Sequence, residues 1–237
     1  MHDQRLNIEN LLNKSDHYQI YTALYLPEHK KVIVKEPLPM PLNQSLSSLT
    51  AARLSNEFEM GKEFKHENIV RYIDFVKENT QIYLVGEYFE STNLKDYIQE
   101  KDVDIESFLI ISKQITEGLA EIHRKNIIHQ FIKPSNILIN PETRQVKIIN
   151  FSRATHDYEF KSSIRPFMNS IAYISPEQTG RMNRTPDYRT DFYSLGVTLY
   201  EMLTGRLPFD ADDTLEMVHC HIAQLATPPH HVDDRIP

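Results

Sequence analysis

The polar side chains best placed for chemistry lie in one loop near the middle of the chain. His129, Lys133 and Asn136 fall on a polar turn between short apolar runs, and an Asn-Phe pair follows fourteen residues after the last of them. Short β-branched runs bounded by proline and asparagine predict strands joined by turns, here at Ile127–Ile128, Ile137–Ile139 and 146–149. This strand, loop and hairpin decide which chemistry the chain can perform.

The spacing of these residues resembles the catalytic loop and the metal-binding motif of eukaryotic-type serine/threonine protein kinases. In that family the loop reads H-R-D-L-K-x-x-N. Its Asp orients the substrate hydroxyl and accepts the proton, its Lys neutralises the transferred phosphate, and its Asn holds magnesium. By this resemblance Lys133 and Asn136 are retained catalytic equivalents, whereas Phe131 replaces the catalytic Asp. The family's D-F-G motif, whose Asp carries the principal magnesium, is N-F-S beginning at Asn150.

Both substitutions remove a carboxylate from the expected reaction centre. A positioned general base contributes about 10²- to 10⁴-fold in rate, and metal neutralisation of the phosphoryl group contributes further stabilisation. The resemblance therefore predicts a degenerate kinase-like domain, a pseudokinase, with no metal ligand set and with phosphotransfer absent or very weak. In addition, no glycine precedes Gly61. The loop expected to cover the phosphates, at 13–18, therefore lacks the conformational freedom that lets glycine-rich backbone approach a phosphate closely.

The same resemblance assigns the residues that would hold a nucleotide. Lys35 matches the strand lysine, and Glu57, twelve residues before the Ile of the HENIV segment, matches the helix glutamate that pairs with it. ATP is expected to bind weakly and independently of magnesium, because the adenine pocket is partly kept while the metal-binding carboxylate is lost. Ile33 narrows that pocket, since a smaller residue is usual there. The other cofactor-binding positions are Ile20, Gly86, Glu87, Phe89, Leu138 and Asn150.

Apolar periodicity predicts the elements that position these residues. Alternating β-branched and aromatic residues predict strands at 18–26, 31–34, 69–76 and 81–88, with Lys35 ending the second. Helical spacing predicts helices from about 48–50 to 65 and at 93–99, 105–124, 188–204 and 214–224. The apolar stripe of the 105–124 helix indicates core packing.

The predicted architecture is α+β, a two-lobed kinase-like fold. Residues 1–89 are predicted to form an N-lobe with a five-stranded sheet and one helix, and residues 90–237 a helical C-lobe. Kinase domains usually continue through two further helices, so the C-lobe is predicted to be truncated. Residues 170–225 resemble most closely the kinase-like domains at the N-terminus of large bacterial hybrid signalling proteins. That resemblance implies a protein partner or downstream domains of a longer protein.

A column of side chains that links the lobes of kinases is expected here as Asp191, His129, Phe151, Gly61 and Tyr72. Asp191 should accept backbone amides from the loop around His129. Gly61 stands where the family carries a leucine-sized residue, and Tyr72 is larger than the usual aliphatic residue. We therefore expect the Tyr72 ring to fill the volume that Gly61 leaves, so that a side chain at Gly61 collides with it.

The composition narrows the functional classes. With 40% hydrophobic and 25% charged residues among 237, the chain can bury a core. A formal net charge of −7 without a dense basic tract argues against nucleic-acid binding. The single cysteine, Cys220, excludes an intramolecular disulfide and fits a reducing compartment. No signal-like or membrane-spanning apolar run is evident, so we expect a cytoplasmic protein without membrane insertion; membrane attachment of a longer parent remains compatible.

Three functions remain open from the sequence. The first is a pseudokinase that signals by conformation or contact. The second is an active or atypical ATP-dependent phosphotransferase, in which a carboxylate such as Asp157 or Glu159 replaces the missing ones. The third is a structural module with no ligand. Ser162, Ser163 and Ser170 are candidate phosphorylation sites.

Overall fold

The computed structural model describes residues 5–15, 17–38, 44–78, 81–157, 168–182 and 184–237, and of 44–47, 78 and 168–170 the backbone alone. Glu159, Ser162 and Ser163 lie outside the described residues, as does the side chain of Ser170. The chain divides into two compact units, residues 1–90 with 151–153 and residues 91–150 with 154–237. The segment 151–153 thus belongs to the first unit. The division after residue 89 that the sequence predicted would place this segment in the second unit.

The first unit is a β-sheet with one helix. Its elements are β1 (Leu6–Lys14), β2 (Tyr18–Tyr25), β3 (Lys30–Pro37), α1 (Gln44–Gly61), β4 (Tyr72–Glu78) and β5 (Gln81–Glu87). The five strands pair antiparallel in the order β1-β2-β3-β5-β4. Alternate side chains of these strands form a buried cluster that includes Ala23, Val32, Val34, Val76 and Val85.

Several boundaries in this unit differ from the prediction made from sequence. β3 continues to Pro37, two residues beyond the expected end, because Tyr18 of β2 pairs with Pro37. α1 begins at Gln44 rather than at 48–50, three residues after Pro41, the last of three closely spaced prolines in the sequence. It ends at Gly61 rather than at 65, where the chain makes a turn closed on the Gly61 carbonyl oxygen. β4 begins at Tyr72 rather than at 69.

The second unit is mostly helical. Its elements are β6 (Thr92–Asn93), α2 (Leu94–Glu100), α3 (Ile105–Arg124), β7 (Ile127–Ile128), β8 (Ile137–Ile139), β9 (Val146–Ile148), β10 (Thr155–His156), α4 (Arg189–Thr204), α5 (Thr214–Ala223) and α6 (Pro229–Val232). β6, β8 and β9 form a small sheet, and β10 pairs with β7. Short 3₁₀ turns occur at Pro134–Asn136, Met168–Tyr173 and Pro176–Thr179. The helix α6 lies in a region for which the sequence predicted none.

Local chemistry accounts for the ends of the main helices in this unit. The Asp104 carboxylate accepts a hydrogen bond from the Ser107 amide at 2.7 Å and caps the N-terminus of α3. α4 ends at Thr204, and the next residue, Gly205, has a φ of 71°, the left-handed conformation that favours glycine. The predicted apolar stripe of α3 is buried at Ile111, Ile115, Leu119 and Ile122 and partly exposed at Phe108. Within the described ranges, no helix is both long and apolar enough to cross a membrane.

Candidate functional site

The first unit contains a buried lysine–glutamate pair. Lys35 on β3 and Glu57 on α1 form an ion pair with 2.7 Å between Nζ and Oε2, as the sequence predicts. The Tyr72 hydroxyl donates to the other carboxylate oxygen at 2.9 Å. The side chains of Lys35 and Glu57 are 15% and 4% exposed. Because the carboxylate is buried with a donor on each oxygen, removing the lysine would leave an uncompensated charge, which costs about 3–5 kcal/mol.

The same unit shows how Tyr72 packs. A Cβ built on Gly61 would lie under 3.0 Å from two ring carbons of Tyr72, which confirms that the ring fills the space left by this glycine. Tyr72 also meets the Phe151 ring edge-on, with 6.2 Å between centroids. Asn56 of α1 donates to the Phe151 carbonyl oxygen at 3.2 Å. The segment 151–153 is therefore bound to the face of α1 that carries Gly61.

The residues expected at an adenine lie along the sheet strands. Ile33 of β3 pairs with Gly86 of β5, and Ile20 of β2 pairs with Lys35. Gly86 is buried, and a Cβ there would meet the Arg71 carbonyl oxygen at 3.7 Å, an ordinary contact. The space beside Gly86 is therefore large enough for a methyl group.

The remaining predicted nucleotide contacts fall in both units. In the first unit, the Glu87 amide donates to the Arg71 carbonyl oxygen and the Arg71 amide donates to the Glu87 carboxylate, both at 2.9 Å. Phe89, two residues further on, is half-buried. In the second unit, Leu138 lies on β8, half-buried and paired with Lys147 of β9.

The second unit contains the loop that resembles a catalytic loop. The buried Asp191 carboxylate accepts the backbone amides of His129 and Gln130 at 2.8 and 2.7 Å, as predicted. The His123 ring also contacts Asp191, with 2.8 Å between Nε2 and Oδ2. The Nδ1 atom of His129 accepts a hydrogen bond from the Phe131 amide. The proton of the neutral ring is therefore on Nε2, which donates to the Ile149 carbonyl oxygen at 3.1 Å. These bonds fix the backbone from His129 to the amide of Phe131, the position where an Asp would stand.

The two residues that replace carboxylates contact the two retained polar residues. The Lys133 ammonium lies over the Phe131 ring, 4.7 Å from its centroid. Asn150 donates from Nδ2 to Asn136 Oδ1 at 2.9 Å, and Asn136 donates from Nδ2 to the Phe131 carbonyl oxygen at 2.7 Å. Asn150 has a positive φ of 71°, which asparagine tolerates better than most residues. The result is a network of neutral amides within the loop.

This donor set does not fit magnesium. Mg²⁺ is usually held by carboxylate oxygens with near-octahedral geometry. Here both candidate ligands, Asn136 and Asn150, are neutral amides, and the Asn136 oxygen accepts the Asn150 amide. The described part of the chain also holds no cluster of three or more His, Cys, Asp or Glu side chains able to bind a metal.

A five-stranded sheet with a buried Lys–Glu pair and a helical unit with this loop define a domain of the protein kinase class. The chain belongs to that family, because the sequence model of the protein kinase domain matches residues 19–235. Its fold is accordingly α+β, with a β-sheet N-lobe and a helical C-lobe.

Relatives of the chain carry serine/threonine kinase names. A probable serine/threonine-protein kinase of Clostridium perfringens is 36% identical over 194 residues, 77% of this chain and 28% of the relative. Serine/threonine-protein kinase PrkC of Bacillus subtilis is 34% identical over 178 residues, 74% of this chain and 27% of PrkC. The probable serine/threonine-protein kinase PknB of Bifidobacterium longum is 30% identical over 241 residues, which cover 95% of this chain and 34% of PknB. The chain thus spans between a quarter and about a third of these relatives.

Sequence reasoning did not assign Tyr18 to the site. Its ring lies against the Lys35 ammonium, 4.5 Å from centroid to Nζ. The two-residue period of a strand could have indicated this contact. Ile20 pairs with Lys35, and Tyr18, two residues earlier on β2, lies on the same face of the sheet as these two residues. The contact across the sheet depends on register, which local sequence does not fix.

Proposed function

We propose that this protein is a pseudokinase, a kinase-fold regulatory or binding module in signalling that does not transfer phosphate. The observation that carries the proposal is the pairing of each retained polar residue with a substituted one. Lys133 lies on the Phe131 ring and Asn136 accepts the Asn150 amide. The groups that would neutralise phosphate and hold metal therefore bind residues of the chain itself.

The chemistry of the two substitutions supports the loss of turnover. Phe131 has no group that accepts a proton from a substrate hydroxyl, a role worth about 10²- to 10⁴-fold. Asn150 is neutral and offers its amide protons to Asn136. It therefore cannot supply the negative charge that holds the metal in an active kinase.

For the cofactor, we propose that ATP binds weakly and that magnesium makes little difference. The Lys35–Glu57 pair supports some nucleotide binding, because it is formed as in an active kinase. The magnesium contribution should be small, because no carboxylate accompanies Asn136 and Asn150. The test is a calorimetric titration of ATP with and without magnesium. A tight, strictly magnesium-dependent interaction would contradict this part of the proposal.

The regulatory role is proposed from the context of the domain. The relatives are several times longer than the matched region, so a kinase domain in this family is commonly one part of a longer chain. A module without turnover would act on a protein partner or on downstream domains through contact. A cytoplasmic location fits this role and belongs to the same proposal.

The alternative is an active or atypical serine/threonine phosphotransferase. Two observations favour it: the Lys35–Glu57 ion pair is intact, and the relatives are named serine/threonine kinases. Its missing carboxylate would have to come from elsewhere, and Asp157 is an exposed candidate.

Phosphate transfer from γ-labelled ATP separates the two functions. The chain is incubated with magnesium or manganese, alone and with a generic protein substrate, beside the Lys35→Met variant. We expect no label above the Lys35→Met background. Label that appears in the wild-type protein and disappears in Lys35→Met would establish the alternative.

A further inference from the structure

The Lys35 ammonium is enclosed by two side chains of the first unit. The Glu57 carboxylate lies 2.7 Å from Nζ, and the Tyr18 ring centroid lies 4.5 Å from it. An aromatic face attracts a cation at this distance. The Lys35 side chain is 15% exposed. An anion that approaches this ammonium therefore contacts the Tyr18 ring.

Tyr18 is held in place from both ends. Its hydroxyl donates to the Thr50 carbonyl oxygen of α1 at 3.3 Å. Its backbone closes the β1–β2 turn, since the Ser15 amide donates to the Tyr18 carbonyl oxygen at 2.9 Å. The Tyr18 amide in turn donates to the Ser15 hydroxyl at 3.1 Å. Burial, and next the nearby Glu57 carboxylate, raise the pKa of Tyr18, so its ring carries a neutral phenol at physiological pH.

We infer that Tyr18 is a built-in cover of Lys35 that blocks this lysine from polyphosphate ligands. The inference rests on the proposed function and deepens it, because it assigns the control of nucleotide access to one side chain. A phosphate that reaches Lys35 must first displace the Tyr18 ring and break its bond to α1. Without such a ligand, Tyr18 and Tyr72 both bind α1 and hold the Lys35–Glu57 pair together.

Polyphosphate binding tests the cover. Dissociation constants of inorganic tripolyphosphate and of magnesium-free ATP are measured for the wild-type chain, Tyr18→Ala, Tyr18→Phe and Tyr18→Ala with Lys35→Met. Tyr18→Ala should bind both ligands about tenfold more tightly than wild type, because the cation–π contact no longer competes. Tyr18→Phe keeps the ring and should stay within about threefold of wild type. Adding Lys35→Met should remove the gain.

A second lysine provides the matched control. Lys31 lies on β3 with its ammonium 4.0 Å from the Tyr88 ring centroid, and both residues are exposed. Tyr88→Ala should leave tripolyphosphate binding unchanged. Equal affinity of wild type and Tyr18→Ala, or a gain that survives Lys35→Met, would overturn the inference.

Lysine labelling tests the wild-type protein directly, even if Tyr18→Ala does not fold. Reductive methylation is followed residue by residue with mass spectrometry. Lys35 should be methylated at least about tenfold more slowly than exposed Lys31 in the folded chain, because its ammonium is enclosed. Equal rates would overturn the cover. Neither measurement involves turnover, so label transfer from ATP would refute the proposed function while leaving the binding comparison to decide the cover.

Discussion

Gly61→Ala should destabilise the first unit by collision with Tyr72. The added Cβ would lie under 3.0 Å from Tyr72 Cδ2 and Cε2, whereas ordinary contact begins at 3.4 Å. The ring cannot easily retreat, because its hydroxyl is bonded to Glu57 and its edge meets Phe151. Overpacking of this kind costs about 1–3 kcal/mol, of which the better helix propensity of alanine offsets up to about 1 kcal/mol. With the full offset the net cost is at most about 2 kcal/mol, which in a chain of this length lowers Tm by up to roughly 8 °C.

Thermal unfolding followed by circular dichroism measures this loss, and two other glycines serve as controls. Gly86→Ala should be neutral within about 0.5 kcal/mol, since its Cβ meets a carbonyl oxygen at 3.7 Å. Gly196→Ala, in α4 with nothing within 4 Å, should stabilise by about 0.5–1 kcal/mol. The double variant Gly61→Ala with Tyr72→Leu should lose less stability than the summed losses of the two single variants. Equal shifts for Gly61→Ala and Gly86→Ala, or strict additivity with Tyr72→Leu, would refute the packing argument.

Two further perturbations have defined outcomes. Phe131→Asp with Asn150→Asp should give at most slight label transfer from ATP, because the glycine-free segment 13–18, which is expected to cover the phosphates, is unchanged. Substantial turnover would contradict this. Burial lowers the pKa of His221, which is hydrogen-bonded through both ring nitrogens, so the unfolded state takes up the proton first. The free energy of unfolding should therefore fall as pH drops below about 6.5, by at most about 1.4 kcal/mol per pH unit. Urea denaturation at a series of pH values measures this pH-dependent part of the stability. It should be lost in His221→Gln and kept in His219→Gln, a control at an exposed site. Identical pH profiles for His221→Gln and wild type would exclude a contribution of His221.

Local patterns predicted the elements with strong internal periodicity. α3 has the predicted bounds, Ile105–Arg124, because its apolar stripe is continuous and Asp104 caps it. β7 and β8 likewise match the apolar runs on either side of the central loop. The Lys35–Glu57 pair followed from family spacing, and the Tyr72–Gly61 packing followed from matching a large residue to a missing one.

Features that depend on non-local pairing were not predictable in the same way. β1 is a strand with a single buried residue, Leu6, so its alternation is weak and no run in 6–14 indicated it. The extension of β3 to Pro37 depends on its partner strand. Family spacing assigned Asn136 and Asn150 to the two metal-binding motifs, but the hydrogen bond between their amides depends on the backbone, including the positive φ of Asn150. The Tyr18–Lys35 contact required the β2–β3 register.

The proposed loss of the metal site can be tested at the two amides themselves. Side-chain amide signals of Asn136 and Asn150 are recorded by NMR in ¹⁵N-labelled protein during titration with manganese and ATP, with magnesium as the diamagnetic reference. Asn150→Asp, which restores one carboxylate and removes the amide donor to Asn136, serves as the comparison variant. In the wild-type chain we predict no selective paramagnetic broadening of either signal. Saturable broadening of both signals would show that a divalent ion binds where we infer an amide pair, and would contradict the pseudokinase proposal.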